Sequence, residues 1–385
     1  MAALALTSVP SRAGGSGFHN ILEAKGLKIR HVSANVNRFS FRIPNELQLK
    51  CHKTCQLQPL HDKTSYRYAW RRPHKNRMLV FAYSAKEENS EARNLLTDVV
   101  VKKSRPLSSL LDRKWSSADM ATAVVVFGMH ALCLLAPFTF TWKAFGVFVM
   151  LYVITGLLGI TLSYHRNLSH RSFKLPKWLE YIFAYCGAQA VQGDPLDWVS
   201  THRYHHQYCD SVKDPHSPNE GFWFSHMSWM FDEKSMTNRI GERNNVSDLE
   251  KQPFYKFLRS TYIIHPIALA LSLYALGGLP FLVWGMAVRV VWVYHITWLV
   301  NSACHVWGYQ SWNTGDLSRN NWWVAALAFG EGWHNNHHAF EFSAQHGLEW
   351  WQLDITWYVI QILEAVGLAK DIRLPSKQHK ARMSF

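Results

Sequence analysis

Three short stretches concentrate histidine: "HRNLSH" with His165 and His170, "HRYHH" with His202, His205 and His206, and "HNNHH" with His334, His337 and His338. In both HxxHH stretches the i, i+3, i+4 spacing puts the three imidazoles on one side of a helix. A ninth, His305 in "NSACH", has Asn301 one turn earlier on the same face. A lone histidine is usually hydrogen-bonded filler. His130, His265, His295 and His346 are read that way, but nine histidines at repeated helical spacing are not. Neutral imidazole is a common metal ligand, so the spacing points to metal chemistry.

The number of donors narrows the metal. A structural zinc needs four ligands and a catalytic zinc three plus water, so eight or nine imidazoles exceed one zinc. Two metals with four or five nitrogens each, and room left for oxygen or water, account for the count. Imidazole suits Zn, Cu, Fe and Ni, whereas Cu(I) would call for thiolates. A pair of redox-active irons is the best fit, because neutral donors leave the centre electron-poor and no nucleophile accompanies it. Such a centre can generate an oxidant for an unactivated C–H bond.

The elements around these histidines are apolar. Residues 121–140 and 145–164 are each near the ~20 residues a spanning helix requires, as are 261–279 and 280–300. They predict four transmembrane helices in two hairpins, the second turning at Gly277, Gly278 and Pro280. Lys102, Lys103, Arg105, Arg113 and Lys114 precede the first span and the region between hairpins is basic, whereas the turns carry little beyond Lys143. By the positive-inside rule the amino end, the central region and the carboxyl end share one side, and all nine histidines fall there. Arg289, midway along the fourth span, must face the bundle, since a lipid-facing charge costs at least ~2.5 kcal/mol. Residues 175–193, "LPKWLEYIFAYCGAQAVQG", are too interrupted to span and suit the interface. The fold class expected is therefore an all-α integral membrane protein, with a cytosol- or stroma-side helical cap carrying a histidine-rich di-iron site.

The amino-terminal stretch has many basic residues and few acids, only Glu23, Glu46 and Asp62 before residue 75, and reads as an organelle transit peptide. Composition changes near "VFAYSAKEENSEARN". The division expected is a transit peptide and linker over 1–80, a pre-membrane region over 81–120, the membrane domain over 121–374 and a tail over 375–385. Six scattered cysteines without a CxxC pair argue against a disulfide scaffold or zinc ribbon, and Cys51 and Cys55 lie in the segment expected to be removed. A net charge of +14 fits an anionic membrane face or an acidic partner; no known nucleic-acid module accompanies it, so no nucleic acid is expected.

At the histidine boxes the chain resembles the membrane-bound fatty acid desaturases of the stearoyl-CoA desaturase type, with their HxxxxH, HxxHH, HxxHH order and the "NSACH" element. The likeness extends through "GDPLDWVSTHRYHHQYCD", "DPHSPNEGFWFSHMSWMF", "NNVSDLEKQPFYKFLRSTY" and "SRNNWWVAALAFGEGWHNNHHAFEFSAQHGLEWWQLDITW", from about Trp115 to Leu374, and is most like the plant branch. It implies that His165, His170, His202, His205, His206, His305, His334, His337 and His338 bind two irons, with Asn301 holding a water. It also implies insertion of a cis double bond with O2 and two electrons. The expected product is the delta-7 monoene of palmitate on monogalactosyldiacylglycerol in a chloroplast membrane. The alternatives are a delta-9 acyl-CoA desaturase of the endoplasmic reticulum or a related di-iron lipid hydroxylase. Trp198, Asp214, Trp223 and Trp333 are expected along the acyl channel or its entrance. With no HPGG haem motif in the chain, electrons must come from an external carrier, ferredoxin in a plastid or cytochrome b5 in the endoplasmic reticulum. A transporter relaying ions would hold its ligands near mid-membrane, and these lie at helix ends and in loops.

Overall fold

The computed structural model describes residues 113–241 and 243–385, and the backbone of four short strands between residues 39 and 84. The chain divides into one unit over Leu6–Val100 and another over Val101–Phe385 with Met1–Ala5. In the first, β1 (Phe39–Ile43) pairs antiparallel with β2 (Leu47–Cys51), and β3 (Tyr66–Trp70) with β4 (Val80–Ser84). β1 alternates Phe39, Phe41 and Ile43 with Ser40 and Arg42, and the two hairpins are the strand content the all-α expectation did not foresee. Apart from them, the expected transit segment lies outside the described residues.

The second unit is helical among its described residues. α1 (Ser117–Cys133) starts at a capping box in which Ser116 and Asp119 satisfy each other's backbone N–H. It ends before the expected Phe140, because Pro137 lacks an N–H and the chain tightens into the 3-10 turn Ala136–Thr139. α2 (Trp142–Ser169) is α-helical to Tyr152 and then winds with i→i+5 hydrogen bonds from Val153 to Ser169. α3 (Lys177–Ala188) packs along it. α4 (Pro195–Tyr208) is opened by Asp194, whose Oδ1 accepts from Leu196 and Asp197 N–H, and α5 (Phe222–His226) follows. The apolar stretch Ile264–Val306 is broken at Gly277 and Gly278 into α6 (264–276) and α7 (279–306); Gly278 has φ 61° and ψ −154°, open only to glycine. Further along come the short α8 (His334–Ala339), α9 (Ile355–Ala365) and the terminal α10 (Lys377–Met383), and the connections hold additional short helices over Glu233–Ile240, Ser247–Glu250, Pro253–Ser260 and Trp322–Leu327.

By length and composition two stretches can cross a membrane, Trp142–Ser169 and Ile264–Val306, the second comprising two helices; α1, at 17 residues, is apolar but shorter. α1, α2 and α6 all pack against the first half of α7, around Val126, Leu151, Leu273, Met286 and Val290. Away from that core, Val124, Phe127, Ile264, Ile267 and Leu271 are exposed, a surface suited to lipid rather than water. α3 is two-faced as expected: Leu179, Phe183 and Ala184 are buried, while Trp178, Ile182 and Tyr185 are exposed.

Two sets of polar groups inside the bundle are tied to backbone or to one another. Arg289 is fully buried and donates to the carbonyls of Gln189 (2.5 Å) and Gly285 (3.0 Å), which pins α7 to the turn after α3. His130 of α1, His295 of α7 and His226 of α5 form a hydrogen-bonded chain, with contacts of 3.0 and 3.1 Å, that ends on Ser302 at 2.9 Å. These histidines link α1, α5 and α7 rather than join the boxes. α2 and α3 meet backbone to backbone where Gly159 faces Gly187: a methyl on Gly159 would lie 2.5 Å from the Gly187 nitrogen. Gly159→Ala is expected to force the helices apart and to destabilise the fold by ~1–3 kcal/mol, the usual penalty of overpacking. A thermal melt in detergent indistinguishable from wild type would contradict this.

Candidate metal centre

All nine box histidines converge, but not as three separate clusters. The ring nitrogens of His165, His170, His202, His206 and His337 lie within 4.8 Å of one another, and so do those of His205, His305, His334 and His338; each group is able to hold a metal ion. The boxes interleave. On α4, His202 and His206, one turn apart, join the first group and His205 the second. On α8, His334 and His338 join the second and His337 the first. Adjacent residues diverge by about 100° around a helix, so each HH pair straddles two centres. The HxxxxH spacing also finds its reason. Five residues are more than one α-helical turn but match the i→i+5 winding at the end of α2, which brings His165 and His170 to the same group.

The donor atoms fit metal ions. His165 and His337 Nε2 are 3.1 Å apart, His170 and His202 Nε2 2.8 Å, His206 and His337 Nε2 2.9 Å, and His305 and His334 Nε2 3.0 Å. Nitrogens about 2.1 Å from a shared ion and at right angles around it would be about 3.0 Å apart. His338 Nε2 is buried without a hydrogen-bond partner, as an atom awaiting an electrophile would be. Burial first, then the neighbouring imidazoles, hold His202, His206, His334 and His337 well below the ordinary histidine value, so these rings are neutral and able to ligate.

Behind the rings stand carboxylates. Nδ1 of His165 faces Glu331 (2.6 Å), that of His205 faces Asp214 (3.0 Å), of His305 Asp210 (3.3 Å), of His338 Asp316 (2.9 Å) and of His206 Glu341 (3.4 Å). The hydrogen bonds of His205 to Asp214 and of His338 to Asp316 fix the tautomer that leaves Nε2 free for a metal and raise the basicity of the ring. Glu331 is held in turn by fully buried Arg166, which also bridges to Asp354 (2.9 Å). Burial alone would raise the Glu331 carboxyl; the Arg166 guanidinium and the adjacent histidines overcome this and keep it well below the usual carboxylate range.

A cavity of about 640 Å³ reaches this centre, lined near it by Gln192, Trp198, His202, Thr297, Trp298 and Asn301. A small, more apolar cavity lined by Gly156, Ile160, Ile296, Val300 and Ala328 meets it at Trp198, His202, Thr297 and Asn301, and touches His165, His205 and His334. Trp198 stacks on His202 (5.2 Å, 22°) and donates to Gln192 Oε1 (3.2 Å), while Gln192 donates to Thr297 (2.9 Å). Both cavities thus border the imidazole groups at Trp198, His202, Thr297 and Asn301.

The family model described as Fatty acid desaturase matches residues 140–370, more than half of the chain. The protein belongs to the fatty acid desaturase family. It is 69% identical over 302 residues to the palmitoyl-monogalactosyldiacylglycerol delta-7 desaturase, chloroplastic, of Arabidopsis thaliana, covering 78% of this chain and 81% of that one. It is 60% identical over 273 residues to the acyl-CoA 5-desaturase AL21 of Anemone leveillei (71% and 85%), and 54% identical over 302 residues to the delta-9 acyl-lipid desaturase 1 of Arabidopsis thaliana (78% and 98%). The desaturase is accordingly an oxidoreductase acting on acyl chains.

Of the four residues expected along the desaturase's channel, Trp198 lines both cavities, and Asn301 joins it there. The other three do not line them. Asp214 is fully buried behind His205, and its carboxylate also caps the Asp210 and His216 N–H groups. Trp223 is exposed on α5 against Phe222 and His226. Trp333 is buried at the start of α8, its indole donating to Leu353 O (2.8 Å). Sequence reasoning also missed Asp210, Asp316, Glu331 and Glu341, and with them His346, whose Nδ1 lies 3.1 Å from Glu331. A signal existed for three of the carboxylates: Asp210, Glu331 and Glu341 stand within five residues of a box.

Proposed function

We propose that the chain introduces the delta-7 cis double bond into palmitate esterified to monogalactosyldiacylglycerol, in a chloroplast membrane that it crosses with four helices in two hairpins. Residues 1–80 serve as transit peptide and linker. The observation that carries the reading is the wall that two cavities share at His202 and Asn301, beside two interleaved imidazole groups. The rings of His165, His170, His202, His206 and His337 would hold one iron and those of His205, His305, His334 and His338 the other, with Asn301 orienting a water. When bound, the irons supply the O2-dependent oxidising chemistry. Overall, O2, two electrons, two protons and two hydrogens of the acyl chain yield the alkene and two waters, and ferredoxin supplies the electrons.

The protein's own part is position. Neighbouring methylenes are alike in reactivity, so the bond that reacts is the one held beside the imidazole groups. Trp198, braced by Gln192 and Thr297, forms part of the shared wall, and the small apolar cavity receives the methyl-terminal part of the chain. Two methylenes differ by only ~1–2 kcal/mol of burial, so selection by chain length is shallow while selection by head-group anchoring is firm.

A second reading, an acyl-CoA substrate, draws support from the similarity to a relative named for that carrier. Fatty-acid profiling of membrane lipids with the gene removed and restored, with double-bond position read by mass spectrometry, separates the two. The expected result is loss and return of the 7-position monoene in sixteen-carbon galactolipids. An unchanged galactolipid profile with altered acyl chains elsewhere would select the acyl-CoA reading.

A further inference from the structure

Five carboxylates face the Nδ1 atoms of the box histidines, and they differ in access to solvent. Side chains of Asp214, Glu331, Asp210 and Asp316 are 0, 6, 9 and 12% exposed, whereas Glu341 is 59% exposed. Of these five carboxylate–imidazole contacts, that of Glu341 with His206 (3.4 Å) is the one that comes out to water. The residue after Glu341, Phe342, rests on His379 of α10, with ring centroids 5.1 Å apart.

That neighbourhood is strongly basic. Between Lys370 and the carboxyl end the chain carries Lys370, Arg373, Lys377, Lys380 and Arg382, with Asp371 as its single acid. All five cations except half-buried Lys380 are exposed. Asp371 is itself paired with Lys174 (2.7 Å), so the acid does not offset the patch. Nor is the segment a loose charged tail. Lys370 exchanges backbone hydrogen bonds with Lys174 (2.7 and 2.9 Å), Arg373 bridges Ser172 and Ala344 (2.9 Å each), and Met383 O accepts from Asn313 N–H (2.8 Å). Ser376 and His379 form a capping box that starts α10. The cations are thereby held on a surface laced to the first and third histidine boxes.

We infer that α10 and the segment leading into it form the docking surface for an acidic one-electron carrier protein, and that electrons enter on the Glu341 side of His206. This rests on the redox reading of the site given above. Fixed cations steer an acidic partner and set its orientation, with an attraction that weakens as salt rises. A carrier seated there has its edge against the one solvent-facing part of the shell.

The test uses the full mature chain, metal-loaded, in nanodiscs of neutral lipid, with an acidic [2Fe–2S] ferredoxin as probe. The variant Lys377→Glu/Lys380→Glu/Arg382→Glu is expected to raise the Kd for ferredoxin more than tenfold at low salt and to flatten its dependence on ionic strength. The Gln triple at the same positions should fall between, and Lys143→Glu, in the first turn of α2, should match wild type. Equal Kd and salt slope in wild type and the Glu triple would overturn the docking surface and leave the redox reading intact, provided wild type still desaturates with ferredoxin. Wild type that takes no electrons from ferredoxin would overturn both. Loss of binding to anionic vesicles with unchanged ferredoxin affinity would overturn the inference in favour of a membrane anchor.

Discussion

His337→Ala is expected to reduce double-bond formation below detection and to remove about half of the bound metal. His337 Nε2 stands 3.1 Å from His165 Nε2 and 2.9 Å from His206 Nε2, so it links the rings supplied by α2 and α4 to the one supplied by α8. Without it the first group keeps four imidazoles from two helices and loses its tie to the third. The second group keeps all four members, which is why the loss of metal should be partial. Alanine also opens a buried space beside His346, whose ring lies 4.4 Å from that of His337. The variant should still reach the membrane, because the apolar core around α7 is untouched. Metal analysis of purified protein against product formation provides the check. Full metal content with full activity would remove His337 from the ligand set.

How much of this was legible depends on which physical scale wrote it. The two HxxHH boxes were readable because ligand spacing is local: a helix repeats every 3.6 residues, and their histidines obey that repeat. Apolar length gave the helices, and Gly277 with Gly278 gave the turn between α6 and α7. The burial of Arg289 followed from the cost of a charge in lipid. What could not be read was long-range pairing. No spacing rule says that His202 and His206 will be separated from His205, or that His337 will leave His334 and His338; that division follows from how α2, α4 and α8 cross. The i→i+5 winding of α2 is likewise set by packing, although the HxxxxH spacing was a sign of it in retrospect. Asp214 was misplaced because an aspartate near a box can face either the substrate or the back of a ring, and only its burial behind His205 decides. Trp223 and Trp333 fell to a similar ambiguity, for a tryptophan near a site serves a channel, a surface or a helix start equally well in sequence.

The buried carboxylates carry the second large expectation. Glu331→Ala should lower metal affinity by about 10- to 100-fold, the usual effect of removing a partner behind a ligating histidine, and should also destabilise the apoprotein by ~3–5 kcal/mol. The second effect comes from Arg166. Its guanidinium is fully buried and donates to Glu331 (3.0 Å), to Asp354 (3.0 Å) and to the Ala344 carbonyl (2.8 Å), so alanine leaves a buried cation with one carboxylate instead of two. Glu331→Gln should separate the contributions. The amide preserves volume and can still accept from Arg166, yet it presents an N–H rather than an oxygen to either His165 or the guanidinium. Metal affinity should therefore fall nearly as far as in the alanine variant, with a smaller loss of stability. Replacing both partners, as Arg166→Met/Glu331→Leu, should cost less stability than the sum of the two single changes, because no orphaned charge remains, while metal binding stays impaired. Melting temperatures of the metal-free proteins together with iron titrations give the two readouts. If Glu331→Ala melted like wild type, the ion pair would be structurally idle; if it bound iron like wild type, Glu331 would have no hold on His165. The two roles can be told apart because Arg166 donates to Glu331, Ala344 and Asp354, whereas Glu331 touches His165 directly at 2.6 Å.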